Sequence, residues 1–263
     1  MSAQTLDAVV GIATEAGNRI MAIYASDFAV TNKDDDSPLT QADLAAHRHI
    51  TAELQRQWPD IPVLSEEAAD IPYSTRSRWT RYWLVDPLDG TKEFIKRNGE
   101  FTVNIALIDQ GQPVLGVVHA PALGLTYFGA NGAGAFRIQN GQRQPIRTRS
   151  APAKPALVVS KSHRDAATDA FLAGMPEHEA ISRGSSLKFC LVAEGSADLY
   201  PRLGPTSEWD TGAGHCVAEQ AGAKVLRLPD YTPLRYNQKE SLLNPNFIVI
   251  GDPAYPWLEK LPK

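Results

Sequence analysis

Between residues 6 and 24, the apolar positions Leu6, Val9, Val10, Ala13, Ala16, Ile20 and Ile23 recur at helical spacing and predict an amphipathic helix. The polar run Asn32-Lys33-Asp34-Asp35-Asp36-Ser37 breaks the pattern, and Pro38 disfavours helix in the residue before it. Thr40 and Asp43 then read as a capping box that opens a second helix, with Leu44, Ile50 and Leu54 turned inward. Two short apolar runs follow, and each ends in acids. Ile61-Pro62-Val63-Leu64 leads into Ser65-Glu66-Glu67, and Tyr82-Trp83-Leu84-Val85 leads into Asp86-Pro87-Leu88-Asp89-Gly90-Thr91. Residues 101–108, 114–119, 125–128 and 135–138 are β-rich, and Gly111 and Asn140-Gly141 supply turns, which predicts an antiparallel meander. Ser150-Ala151-Pro152-Ala153-Lys154-Pro155 reads as a linker. Beyond it, residues 157–160, 179–181, 198–200 and 224–228 read as strands, and 165–174, 185–194 and 210–221 as helices between them. The expected fold class is α/β, an α+β layering, with an N-terminal unit over 1–150 and a C-terminal unit over 151–263.

Composition narrows the function classes. With 43% hydrophobic and 21% charged residues, the 263-residue chain is an ordinary globular sequence. Its 26 basic against 30 acidic side chains give a formal charge of −4, which argues against binding a nucleic acid polymer and leaves room for a small phosphorylated ligand. Cys190 and Cys216 match neither a zinc pattern nor a disulfide framework, so they are expected as buried thiols in a reducing compartment. The first seven residues lack the basic and apolar regions of a secretory signal, and no apolar run is long enough to span a bilayer. The expected location is the cytoplasm.

The chemistry lies in the acids. Asp86 and Asp89 arrive three residues apart at the end of an apolar run. Pro87 restricts Asp86 to an extended backbone, Gly90 allows a sharp bend, and Thr91 adds a hydroxyl. Hard oxygen donors of this kind suit Mg²⁺, which takes one or two carboxylates, waters and substrate phosphate. Turn capping explains an isolated Asp-Pro-x-Asp-Gly equally well. Glu66-Glu67 alone reads as a solvated loop, and Asp210 in Trp209-Asp210-Thr211-Gly212-Ala213-Gly214 as a helix cap. The co-occurrence of three such acidic ends is what points to a metal.

The order Leu64-Ser65-Glu66-Glu67, Trp83-Leu84-Val85-Asp86-Pro87-Leu88-Asp89-Gly90-Thr91 and Trp209-Asp210-Thr211-Gly212-Ala213-Gly214 resembles the inositol monophosphatase superfamily. Residues 86–108 and the run Gly184-Ser185-Ser186-Leu187-Lys188-Phe189-Cys190-Leu191-Val192-Ala193-Glu194-Gly195 are most similar to its 3'(2'),5'-bisphosphate nucleotidase branch. The resemblance covers essentially the whole chain. It implies an inositol monophosphatase/sugar phosphatase-like fold of alternating αβαβα layers and a Mg²⁺-dependent, lithium-sensitive phosphomonoesterase. The implied reaction is hydrolysis of 3'-phosphoadenosine 5'-phosphate to AMP and phosphate, in the service of sulfur metabolism.

By the same resemblance, Glu66, Asp86, the Leu88 carbonyl, Asp89 and Asp210 would hold two Mg²⁺ ions, with a third held weakly near Glu66. Thr91 would orient the attacking water and Asp43 would accept the Thr91 proton, so Asp43, Thr91 and Glu66 form the implied catalytic set. Glu66, Leu88, Asp89, Gly90, Thr91 and Asp210 would surround the scissile phosphate. His163, Ser185, Lys188 and Arg202 would approach the nucleotide and its 5'-phosphate, with Ser185 and Lys188 one turn apart at a helix start that favours an anion. Gly212, a poorer helix residue than Ala by about 1 kcal/mol, stands where many relatives of the family it resembles carry Ala. The branch also implies peripheral association with the inner membrane, which no amphipathic basic helix here demands. Two competing readings are an inositol or sugar-phosphate phosphatase and a non-catalytic nucleotide or metal sensor; the sensor would be expected to have lost ligands.

Overall fold

The structure is a computed structural model that describes residues 3–26, 38–162 and 165–261. Helices α1 (Ala3–Tyr24) and α2 (Pro38–Gln57) are followed by β1 (Val63–Ser65), the short helix α3 (Tyr73–Arg76), β2 (Arg81–Asp89) and the short helix α4 (Thr91–Ile95). The meander β3 (Thr102–Asp109), β4 (Gln112–Ala120), β5 (Leu125–Ala130), β6 (Gly134–Gln139) and β7 (Gln142–Ile146) comes next. The second half alternates: β8 (Ala156–Ser160), α5 (Ala166–Gly174), β9 (Glu179–Arg183), α6 (Leu187–Ala193), β10 (Leu199–Arg202), α7 (Glu208–Gln220), β11 (Lys224–Arg227) and β12 (Phe247–Ile250).

Among the described residues, strands β1 to β7 form one sheet in sequence order, and the other five form a second sheet in the order β11-β12-β10-β8-β9. Only β1 pairs parallel with its neighbour in the first sheet; the pairs from β2–β3 to β6–β7 are antiparallel. The change of sheet falls between Ile146 and Ala156, across the expected linker.

Strand alternation sorts the apolar side chains into three cores. On β2 and β3, Trp83, Val85, Val103, Ile105 and Leu107 face α1 and α2, where they meet Leu6, Val9, Ile20, Ile50 and Leu54. Their neighbours Tyr82, Leu84, Ala106 and Ile108 face the opposite way, into a core shared with Phe189 and Val192 of α6, Val217 of α7, and Phe247 and Val249 of the second sheet. Leu157, Val159, Ile248 and Ile250 form a third core with Leu172 of α5 and Trp257. Three cores imply five layers: helices, sheet, helices α6 and α7, sheet, and α5. This is the αβαβα layering that the resemblance implies. The central strands are covered on both faces, which is why β2, β3, β8 and β12 are buried along most of their length.

The structure corrects several sequence expectations. Helix α2 already runs from Pro38, a residue suited to a first turn, so Thr40 and Asp43 lie inside the helix and do not cap it. The expected break at 32–37 lies outside the described residues. Helix α6 begins at Leu187 after an N-cap at Ser186, so Ser185 precedes the helix and does not share a face of it with Lys188. Strands β7 and β12 and the short helices α3 and α4 had no counterpart in the reading. Cys190 and Cys216 are buried free thiols, as expected. Among the described residues, no helix is long and apolar enough to cross a membrane.

Candidate active site

The site is assembled at the ends of β1 and β2. Their parallel register sets Ser65 beside Val85, so Glu66, the residue just past β1, emerges next to Asp86 of β2. Asp86 is buried, and its Oδ1 accepts a hydrogen bond from the Leu88 amide at 3.0 Å.

A bulge then solves a problem of period. In a regular strand, residues three apart point to opposite faces. Asp86 pairs with Asn104 and Asp89 with Thr102, so Pro87 and Leu88 together oppose the single residue Val103. The extra residue shifts the alternation: Val85 and Leu88 both join the core under α1 and α2, and Asp86 and Asp89 both turn toward α7. Gly90 follows at φ +100°, and a Cβ there would lie 3.2 Å from Phe101 Cα, so only glycine suits the turn into α4.

Helix α7 delivers the remaining acid. Asp210 is the third residue of the helix; its Oδ2 accepts the Ser207 amide and the Thr206 hydroxyl, both at 2.8 Å. One carboxylate oxygen thus fastens the helix start, and Oδ1 takes part in neither bond. The small residues behind Asp210 let α7 sink between layers. A Cβ on Gly212 would lie 3.0 Å from Leu84 Cδ2, one on Gly214 2.7 Å from the Phe189 ring, and one on the facing Gly116 of β4 2.3 Å from Ala213 O. Close helix–sheet packing therefore accounts for glycine at position 212.

One carboxylate oxygen from each of Glu66, Asp86 and Asp210 lies within 4.8 Å of the others. Burial, then the charge of Asp210, pushes Glu66 up to about 7. Burial, then Asp89, pushes Asp210 up to about 6. Burial and the surrounding acids raise Asp86 well above the usual carboxylate range. Three crowded hard-oxygen donors, each resisting ionisation, form a set that fits a divalent cation, whose charge offsets their repulsion. Asp89 stands just outside the trio. Its Oδ2 accepts Ser186 Oγ at 2.8 Å, with Asn104 Nδ2 at 3.4 Å and Thr102 Oγ1 at 3.5 Å. Ser186 Oγ also lies 2.6 Å from Asp210 O, so it links the second acid of the bulge to α7.

These groups line a cavity of about 520 Å³. Ser185, Lys188, Tyr200 and Arg202 also line it. Lys188 is buried; its Nζ hydrogen-bonds the Ser185 carbonyl and lies 5.6 Å from the Tyr200 ring centroid. Burial, opposed in part by Asp89 and reinforced by Arg202, lowers its pKa to about 8. The Arg202 guanidinium donates to the carbonyls of Gly204 and Pro205. Ser185 adopts φ +42°, and its Oγ is buried without a partner.

Thr91 lies on the cavity wall at the start of α4. Asp43 of α2 lies beside Glu66 and Glu67. Burial, then the charges of Glu67 and Glu66, push it up to about 8. Asp43 Oδ1 has no hydrogen-bond partner, and no hydrogen bond joins Asp43 to Thr91. His163 lies outside the described residues. Sequence reasoning passed over Ser186, Asn104, Thr206 and the buried Glu93 and Glu100. Ser186 lay in the Gly184–Gly195 run and Glu93, Glu100 and Asn104 in the 86–108 stretch that carry the resemblance, and Thr206 in neither.

Known proteins carry the same pattern. The inositol monophosphatase family model matches residues 1–250. A 3'(2'),5'-bisphosphate nucleotidase CysQ of Escherichia coli O157:H7 is 55% identical over 247 residues, covering 93% of this chain and 98% of the relative. The crystal structure of CysQ from Bacteroides thetaiotaomicron superposes with a TM-score of 0.87 at 42% identity, covering 94% of this chain and 97% of that one. An inositol monophosphatase from Anabaena has a TM-score of 0.74 at 26% identity, covering 94% and 90%. With its layered fold, its acids at strand and helix ends, and a family match over nearly its whole length, the chain belongs to the inositol monophosphatase family.

Proposed function

We propose that this chain is a 3'(2'),5'-bisphosphate nucleotidase that hydrolyses 3'-phosphoadenosine 5'-phosphate to AMP and phosphate with two Mg²⁺ ions. The observation that carries the reading is one cavity lined both by the acids Glu66, Asp86 and Asp210 and by the bases Lys188 and Arg202. A bisphosphate needs both, a cation site for the phosphate that leaves and fixed positive charge for the one that stays. The 55% identity to CysQ proteins supports the same choice.

Glu66, Asp86, Asp89, Asp210 and the Leu88 carbonyl would hold the ions. The chemistry that bound Mg²⁺ supplies is a water of lowered pKa and compensation of charge on the departing 3'-oxygen. The protein's own groups do the rest. The bulge and the α7 cap fix the carboxylates before substrate arrives, so little reorganisation is needed. The Thr91 hydroxyl stands at the mouth of α4, where it can orient a water. Asp43, pushed up to about 8 by burial and by the charges of Glu67 and Glu66, would take a proton once the cluster's charge is offset. Lys188 and Arg202 attract the 5'-phosphate, and the unpartnered Ser185 Oγ offers it a donor.

The test is phosphate release from 3'-phosphoadenosine 5'-phosphate and from inositol 1-phosphate, with and without Mg²⁺. Mg²⁺-dependent release with preference for the nucleotide is expected. Preference for the inositol ester overturns the substrate assignment. Full Mg²⁺-dependent turnover by Asp89→Ala overturns the metal-ligand assignment.

A further inference from the structure

The segment that follows the metal-binding bulge carries two buried carboxylates, Glu93 and Glu100, whose hydrogen-bond partners lie in the other half of the chain. Glu93 Oε1 accepts the Ser162 hydroxyl at 2.6 Å. Glu100 gathers three donors: its Oε2 accepts the Gly184 amide at 2.8 Å, and its Oε1 accepts Arg183 at 3.0 Å and Lys161 at 3.2 Å. Burial opposes ionisation of Glu100, and these three donors overcome it and hold the carboxyl below its usual range. A Cβ on Gly184 would lie 2.7 Å from Glu93 Cγ and 2.9 Å from Glu100 O, so the two halves meet there backbone to backbone.

What Glu100 grips is the entrance to a strained turn. The next residue, Ser185, sits at φ +42°, a left-handed conformation that a residue with a side chain keeps only where its surroundings over-determine it. Here they do. Glu100 holds the amide before Ser185, Lys188 Nζ holds the carbonyl of Ser185, and Ser186 Oγ reaches Asp89 and the Asp210 carbonyl. The result sets Ser185 and Lys188 in the lining of the cavity. Glu100 itself does not line that cavity.

We infer that Glu100 is a positioning residue that sets the Gly184–Lys188 turn at a fixed distance from the metal-binding carboxylates, and thereby selects nucleoside bisphosphates over monophosphates. The inference rests on the nucleotide reading above. Glu100 acts on recognition of the phosphate that stays, because one of its partners, the Gly184 amide, opens the turn, and none belongs to the acid cluster.

The experiment compares wild type, E100A and E100Q on 3'-phosphoadenosine 5'-phosphate and on adenosine 3'-phosphate, which lacks the 5'-phosphate, with KM and kcat determined separately in saturating Mg²⁺. Losing a charge-assisted hydrogen bond at the turn is expected to raise KM for the bisphosphate about tenfold in E100A. kcat, and KM for the monophosphate, are expected to stay within about twofold. E100Q keeps an oxygen for the Gly184 amide and is expected to fall between E100A and wild type, which also serves should E100A fold poorly. Equal losses on both substrates, or no change on either, overturn the inference. So does a lower KM for the bisphosphate, the outcome if Lys161 and Arg183, once released, merely add positive charge. A wild-type enzyme with no preference between the substrates overturns the nucleotide reading and this inference with it. A wild-type preference that E100A and E100Q leave intact overturns this inference alone.

Discussion

Asp210→Asn removes one negative charge from the acid cluster while leaving an oxygen for the helix start. The amide oxygen of Asn can accept both the Ser207 amide and the Thr206 hydroxyl that Asp210 Oδ2 accepts now. In the metal-free protein, burial and then Asp89 raise the Asp210 pKa from 3.8 to about 6. Because the folded value exceeds the unfolded one, the folded chain binds more protons across that interval. The stability contribution is therefore complete below about pH 4 and is lost as pH rises through about 6. A rise of that size is worth roughly 3 kcal/mol, at about 1.4 kcal/mol per pH unit. Losing a carboxylate from the first turn of α7 returns about 0.5 kcal/mol. Solvent access to a half-buried group takes a little more, leaving roughly 2 kcal/mol in favour of the variant. For a chain of this length that is a melting-point increase of roughly 5 °C. The assay is thermal unfolding in a chelator across pH 4 to 8. D210N is expected to melt above wild type at pH 8, with the gap closing toward pH 4, where Asp and Asn carry the same charge. Saturating Mg²⁺ is expected to reverse the order by stabilising wild type alone. A variant that melts below wild type at pH 8 in chelator, or a gap that does not change with pH, refutes the reasoning.

Two further predictions concern the basic side chains of the cavity and the packing of α7. Lys188, lowered to about 8 chiefly by burial, loses its charge as pH rises through that value, so KM for 3'-phosphoadenosine 5'-phosphate is expected to climb several-fold between pH 7 and 9. K188M is expected to show a higher KM with that climb absent, and an unchanged profile in the variant would remove Lys188 from substrate binding. G116A places a methyl group 2.3 Å from Ala213 O, so the urea midpoint is expected to fall by the equivalent of about 3 kcal/mol, and a wild-type midpoint would show that α7 has room to move.

The acids of the site were legible because each follows an apolar strand or opens a helix, where a charge stands out. The five-layer arrangement was reachable only through resemblance, since periodicity does not say which sheet a buried strand joins. β7 escaped notice because Gln142–Ile146 is a polar edge strand, exposed at four of its five positions. β12 escaped because its four apolar residues close a long irregular stretch and find their place between β10 and β11 only through distant pairing. The Thr40–Asp43 pattern misled because a capping box is a local signal and Pro38 starts the helix earlier. Ser185 and Lys188 were expected one turn apart on one helix face, and the left-handed backbone at Ser185, ahead of the helix start, defeats that spacing. Glu100 lay in a stretch that carries the resemblance, but its role was not legible there, because its three donors come from residues at least 61 positions away.

The bulge between Asp86 and Asp89 means that part of this site is written as length and not as residue identity. Two side chains meet on one face because the strand holds one residue more than its partner can match. Substitution at Pro87 or Leu88 leaves that count intact, while deletion of either returns the strand to a plain two-residue alternation and sends Asp89 toward the helices on the far side. A one-residue gap there would separate the carboxylates without altering a single one of them, so an alignment that scores only the conserved acids would pass a chain that can no longer bring them together.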